Sequence, residues 1–331
     1  MNHNDHRMLM GWLGIAVILL LPACTAFPSP ASIAEITPTA EPTATNTPIP
    51  SPTPEPVEPT PVNFRVSDID GMPQIFIPAG EFVIGCSGSD CTINAGPGPW
   101  PDNLEHQVFL DGYWIDQHEV TNAQYLKCVD AGACRPSNQN NLTPDGLAYF
   151  SDSSFDNYPV INVSWYMARD YCTWAGRRML TEGEWEKAAR GTDGRKYPWG
   201  DDKQFDLYAN FCDKYCPPAK KGDIANPNFE DGYSGTAPVG SYPKGASSYG
   251  LMDMAGNVWE WTSTAAEPYP YDANDGREAL YDIEDGAKWP ERILKGGPWN
   301  GGYAYLRSSF RYRAVAIYWN NNMGIRCAAS P

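Results

Sequence analysis

Alternation of apolar and polar positions is confined to a few short stretches of this chain. Gln74-Ile75-Phe76-Ile77-Pro78-Ala79-Gly80-Glu81-Phe82-Val83-Ile84-Gly85 reads as two short strands hinged at a Pro-Ala-Gly turn, and Val108 to Ile115 as a further strand pair. Helical spacing follows. Thr121 is placed to cap a helix over Asn122 to Ala131 that Gly132 stops, and Ser164 one over Trp165 to Ala175 closed by Gly176. In the second helix Trp165, Ala168, Cys172 and Ala175 recur at offsets of three, seven and ten, which puts Cys172 on the buried stripe. Thr181 and Glu184 have capping-box spacing for a third helix that ends at Gly191. From Gly191 to Lys295 periodicity almost vanishes, and Gly, Pro, Asn and Asp punctuate the chain every few residues. The expectation is one α+β domain over residues 67–331 with much irregular structure.

The N-terminal region follows a different pattern. A polar start carrying Arg7 leads into an apolar run from Met8 to Ala23 that is short for a bilayer span and reads as a secretory signal over residues 1–23. It ends at Leu21-Pro22-Ala23-Cys24, where Cys24 resembles the lipidated cysteine of a lipoprotein; an ordinary signal peptide is the alternative. Residues 24–66 form the expected tether. Between Pro28 and Pro61 the composition collapses to Pro, Thr, Ser, Ala and Glu, too few large apolar side chains to fold. In extended polyproline II form these residues would hold a domain up to roughly 100 Å from its anchor. A spacer of this kind fits a protein exported and lipid-anchored to the outer face of the cell membrane.

Charge narrows the partners. The formal charge is −16, so nucleic acid and anionic lipid surfaces are poor partners, and acidity suits a calcium-rich exterior. The 12 Trp, 19 Tyr and 30 Gly suit a loop-rich domain with an aromatic core. Of 9 cysteines, setting Cys24 aside leaves an even number in an oxidising compartment. Cys86 and Cys91, Cys128 and Cys134, and Cys212 and Cys216 are close pairs in turn-like sequence, leaving Cys172 and Cys327 for each other. Free thiols or a metal cluster are the alternatives. Four-sulfur zinc sites usually carry Cys-x-x-Cys knuckles, and the sequence contains none.

Ten short segments in order carry a family resemblance. They are Phe76-Ile77-Pro78-Ala79-Gly80-Glu81-Phe82, Glu119-Val120-Thr121-Asn122, Pro159 through Trp165, Tyr171 through Arg178, Thr181 through Glu186, Ala189-Arg190-Gly191, Tyr197-Pro198-Trp199-Gly200, Gly256-Asn257-Val258-Trp259-Glu260-Trp261, Lys295-Gly296-Gly297 and Gly324-Ile325-Arg326-Cys327. Each alone is weak. Together, over nearly the whole domain, they resemble the formylglycine-generating (sulfatase-modifying) enzymes. The resemblance implies a single domain of C-type-lectin-like topology, low in regular structure.

It also implies two calcium sites. One would use Asp253, Gly256, Val258 and Glu260, with the middle two acting through backbone oxygen; the other Asn210 and Asp231 through side chains and Phe211 and Tyr233 through carbonyls. A hard cation takes six to eight oxygens, which loops of this composition can supply. The same acids could instead cap turns or pair with arginine.

Oxidising members of the family bind copper(I) through two cysteines after the Lys-Gly-Gly segment, thiolate being the soft ligand that copper(I) prefers. Here Gly301 stands near the first expected position and Tyr305 or Leu306 near the second, and no cysteine lies between Cys216 and Cys327. Copper is therefore not expected, and no catalytic residue is assigned. Beyond the signal only His106 and His118 remain, and there is no Gly-x-Ser-x-Gly elbow, phosphate loop or His-Glu-x-x-His helix. The expectation is a calcium-stapled, non-oxidising module that binds an extracellular protein, peptide or glycan; a working formylglycine-generating oxidase is the alternative. Trp299, Asn300, Tyr303, Arg307, Arg311 and Arg313 are the candidate cleft residues, although for the arginines bracing loops through carbonyls is the favoured role over lining a peptide-binding cleft.

Overall fold

The computed structural model describes residues 63–87, 104–137, 148–216, 226–280 and 290–331. The signal segment, Cys24, most of the tether and Cys91 lie outside the described residues.

Among the described residues, a five-stranded sheet, a four-stranded sheet and a separate two-stranded ribbon carry three α-helices. The first sheet has the order β1 (Phe64–Val66), β2 (Pro73–Ile77), β5 (Tyr113–Asp116), β11 (Cys327–Ala329) and β6 (Arg178–Met179), so the last strand of the chain is inserted between earlier ones. The ribbon is β3 (Gly80–Ile84) with β4 (His106–Leu110). The second sheet runs β10 (Met323–Gly324), β7 (Trp259–Ala265), β8 (Glu291–Lys295) and β9 (Tyr312–Val315).

Four expectations need correction. The strands either side of Pro78-Ala79-Gly80 do not pair with each other: β2 pairs with β5 and β3 with β4, so the turn passes the chain between two sheets. The Val108–Ile115 pair divides in the same way. β7 and β8 fall in a stretch expected to be irregular; six of the seven β7 residues are buried, which removes the apolar-polar alternation by which a half-buried strand is recognised. Finally, β1 pairs with β2, so the domain begins before residue 67 and takes in residues assigned to the tether. Arg65 holds it there, bonding Gln74 at 2.7 Å and lying 4.3 Å over the Trp114 ring.

The helices form as read. In α1 (Asn122–Asp130) the Thr121 hydroxyl accepts the Gln124 N–H, while Gln124 answers the Thr121 N–H. Ser164 caps α2 (Trp165–Trp174), which buries Trp165, Ala168, Tyr171 and Cys172. The Thr181–Glu184 box opens α3 (Glu182–Arg190), and Gly191 ends it at φ +68°. All nine residues of α3 are buried, charges included, so its ionic groups need internal partners. They have them. Glu186 holds Lys295 and Arg190, both at 3.0 Å, and Lys187 donates to the Pro78 and Gly80 carbonyls at 2.8 and 2.9 Å.

Disulfides close Cys128–Cys134, Cys172–Cys327 and Cys212–Cys216. The second joins α2 to β11 across a sequence separation of 155 residues, both cysteines being fully buried.

Candidate functional site

Gly256 brings the two expected calcium loops into contact. At φ +86° it lets the 253–258 turn approach Asn210 so closely that a Cβ there would meet the Asn210 carbonyl oxygen at 2.3 Å. The Asn257 N–H donates to that same oxygen at 2.9 Å, and Asn210 Nδ2 donates to Asn257 Oδ1 at 3.2 Å. Asp253 and Asn257 also take positive φ, at 57° and 61°, in which short polar side chains are tolerated. The two sets of residues, far apart in the chain, form one continuous polar region beside the four-stranded sheet.

In the first loop Asp231 bridges both halves of the set, its oxygens accepting the Phe211 N–H at 2.8 Å and the Tyr233 N–H at 2.9 Å. Burial, only partly offset by those two N–H groups, pushes its carboxyl up to about 7, and the charges of Asp213 and Asp206 add to the rise. No basic side chain answers it among the described residues. Asn210 Nδ2 is used by the Gly235 carbonyl at 2.9 Å as well as by Asn257, yet its Oδ1 is buried without a hydrogen-bond partner. An orphaned buried acceptor beside an uncompensated carboxylate is what a hard cation would satisfy. This loop fits the ion.

The second loop fits less well. Asp253 accepts the Gly240 N–H at 2.6 Å and, through burial, is pushed up to about 6. Glu260, expected as the partner ligand, is already engaged: Arg326 reaches it at 2.8 to 3.0 Å and Trp185 Nε1 at 2.6 Å. For Glu260 the arginine-pairing alternative holds. Both partners are fully buried, and stripping one from such a pair typically costs about 3–5 kcal/mol, so the pair is a structural lock. Val258 is buried in this turn, its N–H going to Glu119 Oε1 at 3.2 Å.

Glu119 lies in one of the family-like segments but outside both expected ligand sets. It accepts from Asn257 Nδ2 at 2.8 Å as well as from Val258, and burial, then the Asp253 and Glu260 charges, holds its carboxyl well above the usual range. Arg326 faces three carboxyl groups and bonds only Glu260, so the upward shift falls on Glu119 and Asp253. Among the described residues no group of three or more His, Cys, Asp or Glu side chains could hold a metal ion, so any cation here depends on amide and backbone oxygens.

The candidate cleft lies where β8 runs into Gly296 and Gly297, at φ +99° and +83°. Trp299 Nε1 donates to the Asn321 carbonyl at 3.0 Å, and Asn300 Oδ1 accepts from Asn322 Nδ2 at 2.9 Å. Tyr303 stacks on Phe205 with ring centroids 5.0 Å apart and keeps one face exposed. Arg307 and Arg311 turn inward, and Arg313 is engaged at the sheet surface. Arg307 is buried, Arg311 is committed to Glu182 at 2.5 and 2.9 Å and to the Glu267 carbonyl at 2.9 Å, and Arg313 pairs with Glu291 at 3.1 Å. They brace loops. At Gly301 a Cβ would sit 2.7 Å from both the Pro298 and the Tyr305 side chains, Leu306 is buried among Tyr197, Phe205 and Phe211, and Tyr305 packs edge-on against Phe310.

Comparison with known proteins agrees with this architecture. The chain is 32% identical over 301 residues to the mouse formylglycine-generating enzyme, covering 76% of this chain and 74% of that protein. To the mouse inactive C-alpha-formylglycine-generating enzyme 2 it is 36% identical over 178 residues, covering 52% of this chain and 49% of that protein. Among solved structures, PvdO from Pseudomonas aeruginosa superposes with a TM-score of 0.61 at 22% identity over 83% of this chain and 100% of that one, a likeness of fold. Residues 62–331 match the sulfatase-modifying factor enzyme 1-like domain, and this chain belongs to that family.

Proposed function

We propose that this protein is an exported, lipid-anchored binding module on the sulfatase-modifying factor scaffold, with a C-type-lectin-like topology, stabilised by calcium and without oxidase activity. One observation carries the reading: no cysteine lies between Cys216 and Cys327. The positions where copper-binding thiolates are expected are taken by close-packed Gly301, by buried Leu306 and by the aromatic packing of Tyr305. Copper(I) held by hydroxyl, amide or carbonyl oxygen would bind weakly. Three disulfides account for six of the remaining cysteines, which are then unable to offer thiolate. Similarity extends both to a protein named as formylglycine-generating and to one named inactive, so kinship leaves the activity to the site.

Calcium would be held by Asn210 Oδ1, Asp231 and the carbonyls of Phe211 and Tyr233, and more loosely by the Asp253 turn through the Gly256 and Val258 carbonyls. Its chemistry there is charge neutralisation. What the ion leaves free is the surface around Trp299 and Tyr303, available to an extracellular protein, peptide or glycan, with buried Asn300 supporting it from beneath through Asn322. The test is to load the purified protein with copper(I) and incubate it in air with a Cys-x-Pro-x-Arg peptide. The expected outcome is an unchanged thiol by mass spectrometry; conversion of the cysteine to an aldehyde would restore the oxidase.

A further inference from the structure

The loop between β9 and β10 is rigid in its backbone and apolar at its surface, a combination that folding alone does not favour. Its carbonyls are tied from several sides: Ala316 accepts the Trp165 N–H at 3.1 Å, Asn320 the Asn162 N–H at 3.0 Å, Asn321 the Trp299 indole at 3.0 Å and Asn322 the Trp259 N–H at 2.8 Å. Against this frame Ile317, Tyr318 and Trp319 are 44%, 48% and 43% exposed. Three consecutive large apolar side chains are held half in water by a pinned backbone, so the cost of ordering that backbone is met in the fold before anything binds.

The chemistry of the loop restricts its ligand. From Ala314 to Ile325 there is no Asp, Glu, Lys, Arg or His, in a chain whose formal charge is −16. What accompanies the aromatic rings is amide. Asn320 Nδ2 donates to the Tyr318 hydroxyl at 3.3 Å, Asn322 Nδ2 donates to Asn300, and Asn322 Oδ1 is buried without a hydrogen-bond partner. The three side chains expose roughly 300 Å² between them, well short of the roughly 800 Å² per partner of a stable protein interface. A ligand that is small, uncharged, apolar on one face and rich in hydroxyl groups at its edges matches all of these features.

We propose that Tyr318 and Trp319 form a stacking platform for a neutral oligosaccharide, its pyranose C–H faces lying on the rings and its hydroxyls bonding the amides of Asn320 and Asn321. This deepens the binding-module reading and rests on it. The experiment is calorimetric titration of the full, detergent-solubilised lipoprotein with cellohexaose, maltohexaose, laminarihexaose, xylohexaose, mannohexaose and chitohexaose. At least one should bind with a dissociation constant of about a millimolar or tighter. Trp319→Ala and Tyr318→Ala should each weaken it at least about tenfold with the melting temperature unchanged, and Trp319→Phe should restore part of the loss. Failure of all six sugars at millimolar concentration, or binding indifferent to both alanine substitutions, overturns the platform. A folded protein that binds through Trp319 while every sugar fails also overturns it, and leaves the binding-module reading standing.

Discussion

Asp231 is the residue whose protonation most directly reports the state of the Asn210 loop. Its ordinary value is 3.8 and the fold raises it to about 7, while Asp253 rises to about 6. A carboxyl raised in the folded state binds its proton more tightly there than in the unfolded chain. The stability it contributes is therefore complete below about pH 4 and is lost as pH rises through 6 and 7. In chelator, these groups should lower the melting temperature between pH 5 and pH 8. A calcium ion that binds only the native state opposes that loss, so millimolar calcium should raise the melting temperature at pH 8 by more than at pH 5. Asp231→Asn should blunt both responses. Superimposable melting curves with calcium and with excess chelator at pH 8 would rule out calcium in this loop. Glu260, in contrast, offers little to the ion, because Arg326 and Trp185 hold both its oxygens.

At the scale of elements, the Cys172–Cys327 bond is the long-range staple. In the chain-entropy picture a cross-link across 155 residues constrains the unfolded chain by roughly 5 kcal/mol, and one across 6 residues by roughly 2 kcal/mol. Replacing Cys172 and Cys327 together with alanine should therefore cost distinctly more in urea unfolding than the same change at Cys128 and Cys134. Equal costs would mean that α2 and β11 are held together by packing alone. The caps and stops of α1, α2 and α3 were legible because capping is decided within one turn of chain, by Thr121, Ser164, Thr181 and Gly191. β7 was not. Its Thr262 and Thr264 break any apolar alternation, because they are buried with their hydroxyls bonded to the Ile293 carbonyl at 2.9 Å and to Glu278 at 2.6 Å.

For the whole molecule, the proposed lipidation of Cys24 would make the proline-rich segment between it and the domain a surface tether. Mass spectrometry of the native N-terminus should find a diacylated or triacylated cysteine at position 24. An unmodified terminus anywhere between Pro22 and Pro30 would leave the protein without that anchor. Among the described residues no helix is long and apolar enough to cross a membrane.

Sequence by itself determined what depends on chemical identity and on near neighbours along the chain. It sufficed for the three helices and their ends, the pairing of Cys128 with Cys134, Cys212 with Cys216 and, by remainder, Cys172 with Cys327, and the lack of sulfur between Cys216 and Cys327. Only the tertiary structure decided which strands meet, because the Pro78-Ala79-Gly80 turn fixes a change of direction and not a partner. It alone distinguished the free carboxylate from the paired one. Arg326 closes on Glu260 across 66 residues, and Glu119 reaches Val258 across 139. Charge partners at such separations are chosen by packing, and spacing along the chain carries no record of them.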